Sequence, residues 1–290
     1  MSTPFDGIGT IDTMVGFPKR DRRETYRFLD PLLRDTESKE EFSFPAQYMF
    51  KDLPAEADDN VDPVAVVLDN LDRYGVARAM VGVRKDRPDA VRALEQHPDR
   101  FFASVEIDPN GGMDAVRYLV EMVETFGAKA ATTFPAGYGV PINDKRYYPI
   151  YAKCIELDIP IFVCAGVPGP RVPMASQKVE LIDEVCWFFP ELKFVMRHGA
   201  EPWTDLAVKL MLKWPNLYYS TSAFAPKHYP KAIVDYANTR GSEKVLYAGY
   251  FPAGLTYDRI WNDMPNVPLK DDVWPKFLRD NAVRVLGLEG

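Results

Sequence analysis

The sequence predicts an α/β fold, a (β/α)8 TIM barrel with a long insertion after its first strand. Three observations carry that expectation. Short apolar runs alternate with amphipathic segments about eight times along the chain, the count a closed parallel barrel requires. The runs, such as Ile161-Phe162-Val163-Cys164, are apolar almost throughout, as strands buried on both faces of a parallel sheet are. The first run continues into Asp12-Thr13-Met14-Val15-Gly16-Phe17, which is not the glycine-rich turn of a dinucleotide-binding open sheet, and no Walker-type loop follows.

Taken in order, Ile8 to Val15 reads as the first strand. From Phe17 to Asn60 the hydrophobic periodicity is poor and charges are frequent. A connection that long is usually functional or mobile, so it is expected to form a lid over the barrel mouth or a dimer contact. Phe42, Phe44, Tyr48, Met49 and Phe50 would give it an apolar underside. Regularity begins at Val61: Asp62-Pro63 starts a helix, Val64 to Tyr74 is its body and Gly75 its stop.

Further strands are expected at Val76 to Val83, Phe101 to Ile107, Ala128 to Thr133, Pro160 to Cys164, Phe194 to Arg197, Leu217 to Thr221 and Val245 to Gly249. Between them the 3.6-residue period predicts helices at Pro88 to Gln96, Met113 to Phe126, Tyr147 to Leu157, Val179 to Phe189, Thr204 to Trp214 and Pro230 to Thr239. A last helix spans Val273 to Leu286.

The 290 residues suit one barrel domain over the whole chain, 1–290, with the insertion at about 17–60. Hydrophobic residues at 47% and charged residues at 27% give a globular profile. Acidic residues outnumber basic ones, 42 to 35, which argues against nucleic-acid or anionic-membrane partners. No apolar run approaches a membrane span and the N-terminus lacks a signal-peptide pattern, so a cytoplasmic protein is expected. The three cysteines have no paired spacing, which excludes a disulfide framework or thiolate metal site.

Chemistry in such a barrel sits at the C-terminal ends of the strands. Those positions hold Asp12, Met14 and Gly16, then Arg84, Glu106, Thr132 and Thr133, Cys164, Arg197 and His198, Thr221 and Ser222, and Tyr250. His198 ends a buried apolar run and titrates near neutrality, which suits proton transfer. Tyr250 is a directional donor to a developing oxyanion. Asp12 would orient its neighbours, and Arg84 would anchor a carboxylate or phosphate. Cys164, Arg197, Trp203, Thr221 and His228 complete the candidate substrate contacts, His228 as a second proton carrier.

Ile11-Asp12-Thr13, Ile159 to Val163, the stretch Phe189 to Trp203, Pro215 to Tyr219 and Asn281 to Leu288 together resemble the amidohydrolase-related barrels. That group contains aminocarboxymuconate semialdehyde decarboxylase and resorcylate-type decarboxylases. The resemblance implies a homodimer and a divalent metal held by two histidines after the first strand, a histidine after the fifth and an aspartate after the eighth. Here those positions are Met14, Gly16, Cys164 and Tyr250. Such a set lacks the three or four imidazole and carboxylate ligands a metal needs, so neither metal nor cofactor is expected.

His198 matches the family's proton-transfer histidine. The resulting expectation is a metal-independent hydrolase or carbon–carbon lyase acting on a small organic acid or cyclic carbonyl compound, with His198 as general acid/base. The alternatives are a non-catalytic ligand-binding barrel and a metal relocated to His198, Asp12, Glu201 or His228.

Overall fold

A computed structural model describes residues 5–19, 21–50, 53–56, 58 and 60–289. Eight strands, β1 (Thr10–Val15), β2 (Val76–Gly82), β3 (Phe101–Glu106), β4 (Ala130–Thr133), β5 (Ile161–Cys164), β6 (Phe194–Arg197), β7 (Leu217–Ser220) and β8 (Val245–Leu246), pair in chain order, every pair parallel. The (β/α)8 expectation holds. β1 and β8 meet through Thr13 N–H to the Tyr247 carbonyl at 3.3 Å, Tyr250 N–H to Met14 at 3.1 Å and Gly16 N–H to Phe251 at 2.8 Å.

The pleat explains what fills the barrel. Ile11, Met80, Phe102, Ala130, Phe162, Val195, Tyr218 and Leu246, one from each strand, form a single apolar cluster inside it. Side chains repeat on one face every second residue. The next inward residues are therefore Thr13, Gly82, Ser104, Thr132, Cys164, Arg197 and Ser220, and all of them line a cavity at the C-terminal mouth. An apolar plug below and a polar collar above follow from one alternation.

The helices α1 (Arg22–Tyr26), α2 (Thr36–Glu41), α3 (Pro63–Arg73), α4 (Pro88–Gln96), α5 (Met113–Phe126), α6 (Pro135–Tyr138), α7 (Tyr148–Glu156), α8 (Leu181–Phe188), α9 (Thr204–Lys213), α10 (Lys231–Ala237), α11 (Tyr257–Asp263) and α12 (Asn281–Leu286) complete the chain. Asp62 caps α3 by accepting Val64 N–H at 3.0 Å, and Gly127 ends α5 in the left-handed conformation.

Three expectations change. β8 is only two residues long, because beyond Leu246 the backbone bonds to Phe277 and to β1 instead of extending the ladder. The last helix is divided: Lys276–Asp280 is π-helical, and the Phe277 carbonyl accepts Tyr247 N–H at 3.1 Å. α6 and α11 were not anticipated.

The insertion folds over the mouth as a lid. Phe42 and Phe44 are buried beneath it and Phe50 packs edge-on against Phe44 at 5.4 Å. Met49 lines the cavity as well, although it is 60% exposed. Tyr48, expected in the same underside, is instead 51% exposed and has the Arg171 guanidinium over its ring.

Leu246 is fully buried between the barrel walls. Leu246→Ala is expected to destabilise the protein by about 2–5 kcal/mol, read as a lower urea midpoint at unchanged slope.

Candidate active site

The cavity encloses about 990 Å³ between the strand ends and the lid. Its central group is Arg197, whose side chain is only 11% exposed. Nε donates to Cys164 Sγ at 3.2 Å, and Nη2 donates to Glu106 Oε2 at 3.1 Å and to the Thr133 carbonyl at 3.3 Å. Nη1 makes no hydrogen bond among the described residues. Burial works against the charge, but the Cys164 sulfur and the Glu106 carboxylate beside it outweigh that and keep Arg197 protonated.

Glu106 is itself held in place. Its Oε2 accepts the Thr132 hydroxyl at 2.5 Å and its Oε1 the Tyr138 hydroxyl at 3.4 Å. The sequence pointed to Glu106 only as a strand end, because its partner lies 91 residues away.

His198 follows on the same strand with φ of 67°, and Gly199 has φ of 94°. A glycine is required at 199, since an added Cβ would collide with the Phe224 ring. The left-handed turn aims the imidazole into the cavity wall beside Arg197. Ser222 Oγ lies 3.1 Å from both the His198 backbone N–H and Nδ1. Oγ accepts the backbone N–H, and its own proton has no acceptor among the described residues other than Nδ1. The neutral ring then carries its proton on Nε2. Burial, and then the nearby Arg197 charge, push the His198 pKa down to about 3, so the ring is neutral at physiological pH.

Tyr250, also at positive φ, 59°, stands edge-on to His198 with ring centroids 5.4 Å apart. Burial raises its pKa well above the ordinary phenol value, so it is a donor rather than a base. Burial likewise pushes the Cys164 thiol up to about 11, with Arg197 offsetting part of the effect. A thiol in that state is a poor nucleophile.

The remaining candidates divide by position. Arg84 and His228 line the cavity, but Arg84 grips its neighbour Asp86 through bonds of 2.9 and 2.5 Å. Three others do not reach the cavity. Thr221 lies one residue past inward-facing Ser220 and turns to Leu246 and Ala248, accepting the Ala248 N–H at 3.2 Å. Trp203 precedes α9 and packs on the outer core.

Asp12 is fully buried behind the wall. Its Oδ1 accepts Met14 N–H and Gly249 N–H at 2.9 Å each, and its Oδ2 accepts the Tyr257 hydroxyl at 2.8 Å. It ties β1 to the loop after β8 and thereby positions Tyr250. Burial pushes its pKa up to about 6 against those three donors.

The residues present do not fit a divalent metal. Gly16 offers no ligand atom, Met14 offers a thioether, Tyr250 a protonated phenol, and Cys164 a thiol whose sulfur faces a guanidinium cation. The relocated set fails as well, since Asp12 is enclosed by three donors. Among the described residues no group of three or more His, Cys, Asp or Glu could hold a metal ion.

Asp12→Ala strands three buried donors and is expected to lower stability by about 3 kcal/mol or more, read by chemical denaturation. For His198, the unfolded chain binds a proton near pH 6.5 and the native chain only near 3. The native state therefore loses stability as pH falls from 6.5 toward 3. Asp12 acts in the opposite sense between 3.8 and about 6. His198→Gln is expected to flatten the acid-side loss in a denaturation series over pH.

The barrel is similar to several solved structures, each under 25% identical, which establishes the fold alone. An uncharacterized TIM-barrel protein from Bordetella bronchiseptica matches at 21% identity and a TM-score of 0.70, over 96% of this chain and 98% of that one. The 5-carboxyvanillate decarboxylase of Novosphingobium aromaticivorans, solved with manganese and a nitrobenzoic acid, matches at 16% and 0.67, over 97% and 98%. The 2,6-dihydroxybenzoate decarboxylase from Rhizobium matches at 15% and 0.65, over 97% and 99%. The chain matches no curated protein sequence. The amidohydrolase family model matches residues 34–288, which takes in β2 to β8 and the strand-end residues from Arg84 to Tyr250 but not β1, and the chain belongs to that family.

Proposed function

We propose that this barrel is a metal-independent carbon–carbon lyase, of decarboxylase type, or a hydrolase, acting on a small organic acid or cyclic carbonyl compound. The observation that carries the reading is the open Nη1 edge of Arg197, held in the polar collar beside neutral His198. Arg197 contacts Cys164, the position that the family resemblance assigns to a metal ligand. A fixed cation there supplies what an electrophilic centre supplies in such chemistry: attraction for an oxygen on which negative charge develops.

In a lyase reaction the carbon–carboxylate bond breaks and its electron pair moves toward the carbonyl or phenolic oxygen facing Arg197 and Tyr250. Carbon dioxide leaves, and the carbon takes its proton from His198 in its protonated form, which water replenishes; in hydrolysis the neutral ring accepts water's proton through Nδ1 once Ser222 gives up its bond there. An anionic substrate offsets Arg197, which removes one of the two causes that depress His198 and brings its titration closer to neutrality. Decarboxylases among the structural neighbours support the lyase branch. No helix among the described residues is long and apolar enough to cross a membrane. A homodimer belongs to the same reading, with exposed Trp187 and Phe188 on α8 available for a second copy to cover.

The test is turnover of a panel of hydroxylated aromatic and cyclic β-keto acids, followed by carbon dioxide release and product mass. His198→Ala is expected to lower kcat by about 10²–10⁴, and Arg197→Met to lower kcat/KM by about 10² or more. Turnover that survives both substitutions would sink the assignment.

A further inference from the structure

A basic run, Arg84-Lys85-Asp86-Arg87, follows β2. The structure separates its members. Arg84 pairs with Asp86, and Lys85 with Glu121. Arg87 has no ion-pair partner among the described residues, is half-buried and lines the cavity. Lys19 and Arg22, which lead into the lid, line the same cavity, also half-buried and without an ion pair among the described residues.

Lys19 and Arg87 are close enough to interact, and Arg22 and Arg87 share Tyr26 as a neighbour. Burial and then the Arg87 charge push the Lys19 pKa down. Arg87 and Arg22 both act on the Tyr26 phenol between them. Elsewhere Arg92, Arg100, Arg146 and Arg171 all have carboxylate partners. The chain carries seven more acidic than basic residues, yet among the described residues none pairs directly with these three side chains: Asp89 and Asp86 act on Lys19 and Arg87 only from beyond pairing distance, and Glu56 accepts the Arg22 backbone N–H instead. Like charges held together and partly desolvated are unfavourable until an anion joins them.

The same cavity is also lined by the apolar Phe17 and Phe134, above the plug residues Met80 and Phe162 that form its floor. A cavity of 990 Å³ is at the upper end of those that enclose a drug-sized ligand, about 300–1,000 Å³, and is far larger than a one-ring acid. We infer that Lys19, Arg22 and Arg87 form a clamp for a second anionic group, a carboxylate or phosphoryl, at the far end of an extended substrate. The reacting carbonyl or phenol occupies the collar at Arg197. This deepens the proposed function by naming the substrate class: an elongated molecule with an apolar middle and an anionic tail.

The test measures binding by calorimetry of 4-hydroxyphenyl compounds bearing alkyl chains of graded length, each ended by carboxylate, phosphonate or neutral carboxamide. At the optimal length the anionic compounds are expected to bind at least about tenfold tighter than the carboxamide, the worth of one charge-assisted contact. The preference should shrink with added salt. Lys19→Met and Arg87→Met should each bring the ratio toward one, while Arg117→Met, an exposed guanidinium paired with Asp114 outside the cavity, should retain it. Circular dichroism confirms that the variants fold. The stronger of the carboxylate and phosphonate identifies the group the clamp accepts. No anionic preference at any length, or one that survives in both Lys19→Met and Arg87→Met, would overturn the clamp. Failure of the lyase reading is separable: it would leave the anionic preference intact without turnover.

Discussion

A guanidinium inside the barrel sets the terms for everything around it. A cation at that depth is tolerable only when partners replace the water it has lost. Glu106, Cys164 and the Thr133 carbonyl do so from three neighbouring strands. Glu106 in turn depends on Thr132 and Tyr138. These bonds use Nε and Nη2 and leave one edge of the guanidinium facing the cavity. The same charge helps keep His198 neutral. In the proposed reaction this fixed positive edge and the uncharged imidazole on the adjacent residue supply the oxyanion-binding and proton-carrying groups.

The second support is Asp12. It contributes no atom to the cavity, yet two backbone donors and the Tyr257 hydroxyl converge on it where the first and last strands meet. The eighth strand is short, so this carboxylate does work that ladder bonds do elsewhere. Gly249 has to be glycine because a Cβ would meet the Asp12 carboxylate. The next residue, Tyr250, inherits its place against His198 from that closure.

Much of the fold was legible because inward-facing residues alternate so regularly. β6 and the helices Pro88–Gln96 and Met113–Phe126 have the bounds expected from periodicity, glycine stops and proline starts. The same alternation carried the information that Thr221 faces away, since Tyr218 and Ser220 face in; reading strand ends as a group obscured it. Trp203 was out of reach for another reason, its direction being fixed by the turn that starts α9. The Arg197–Glu106 pair was hidden by sequence separation. The helices within the insertion were illegible because they are short, five and six residues, and have no periodic apolar face: the first buries no residue and the second only Ser38. That Lys19, Arg22 and Arg87 make no ion pair among the described residues depends on how Asp86, Asp89 and Glu56 are turned, which no local pattern encodes.

The claim on which the account rests is that a guanidinium has taken over the electrostatic role at this family's active centre. It is tested most directly by the metal-to-protein ratio of chain purified without chelator after growth with added manganese and zinc. Elemental analysis should find far less than one metal per folded chain, and Arg197→Met should not raise it, since Met14, Gly16 and Tyr250 still offer no suitable ligand set. A ratio near one in the unsubstituted protein would contradict the account.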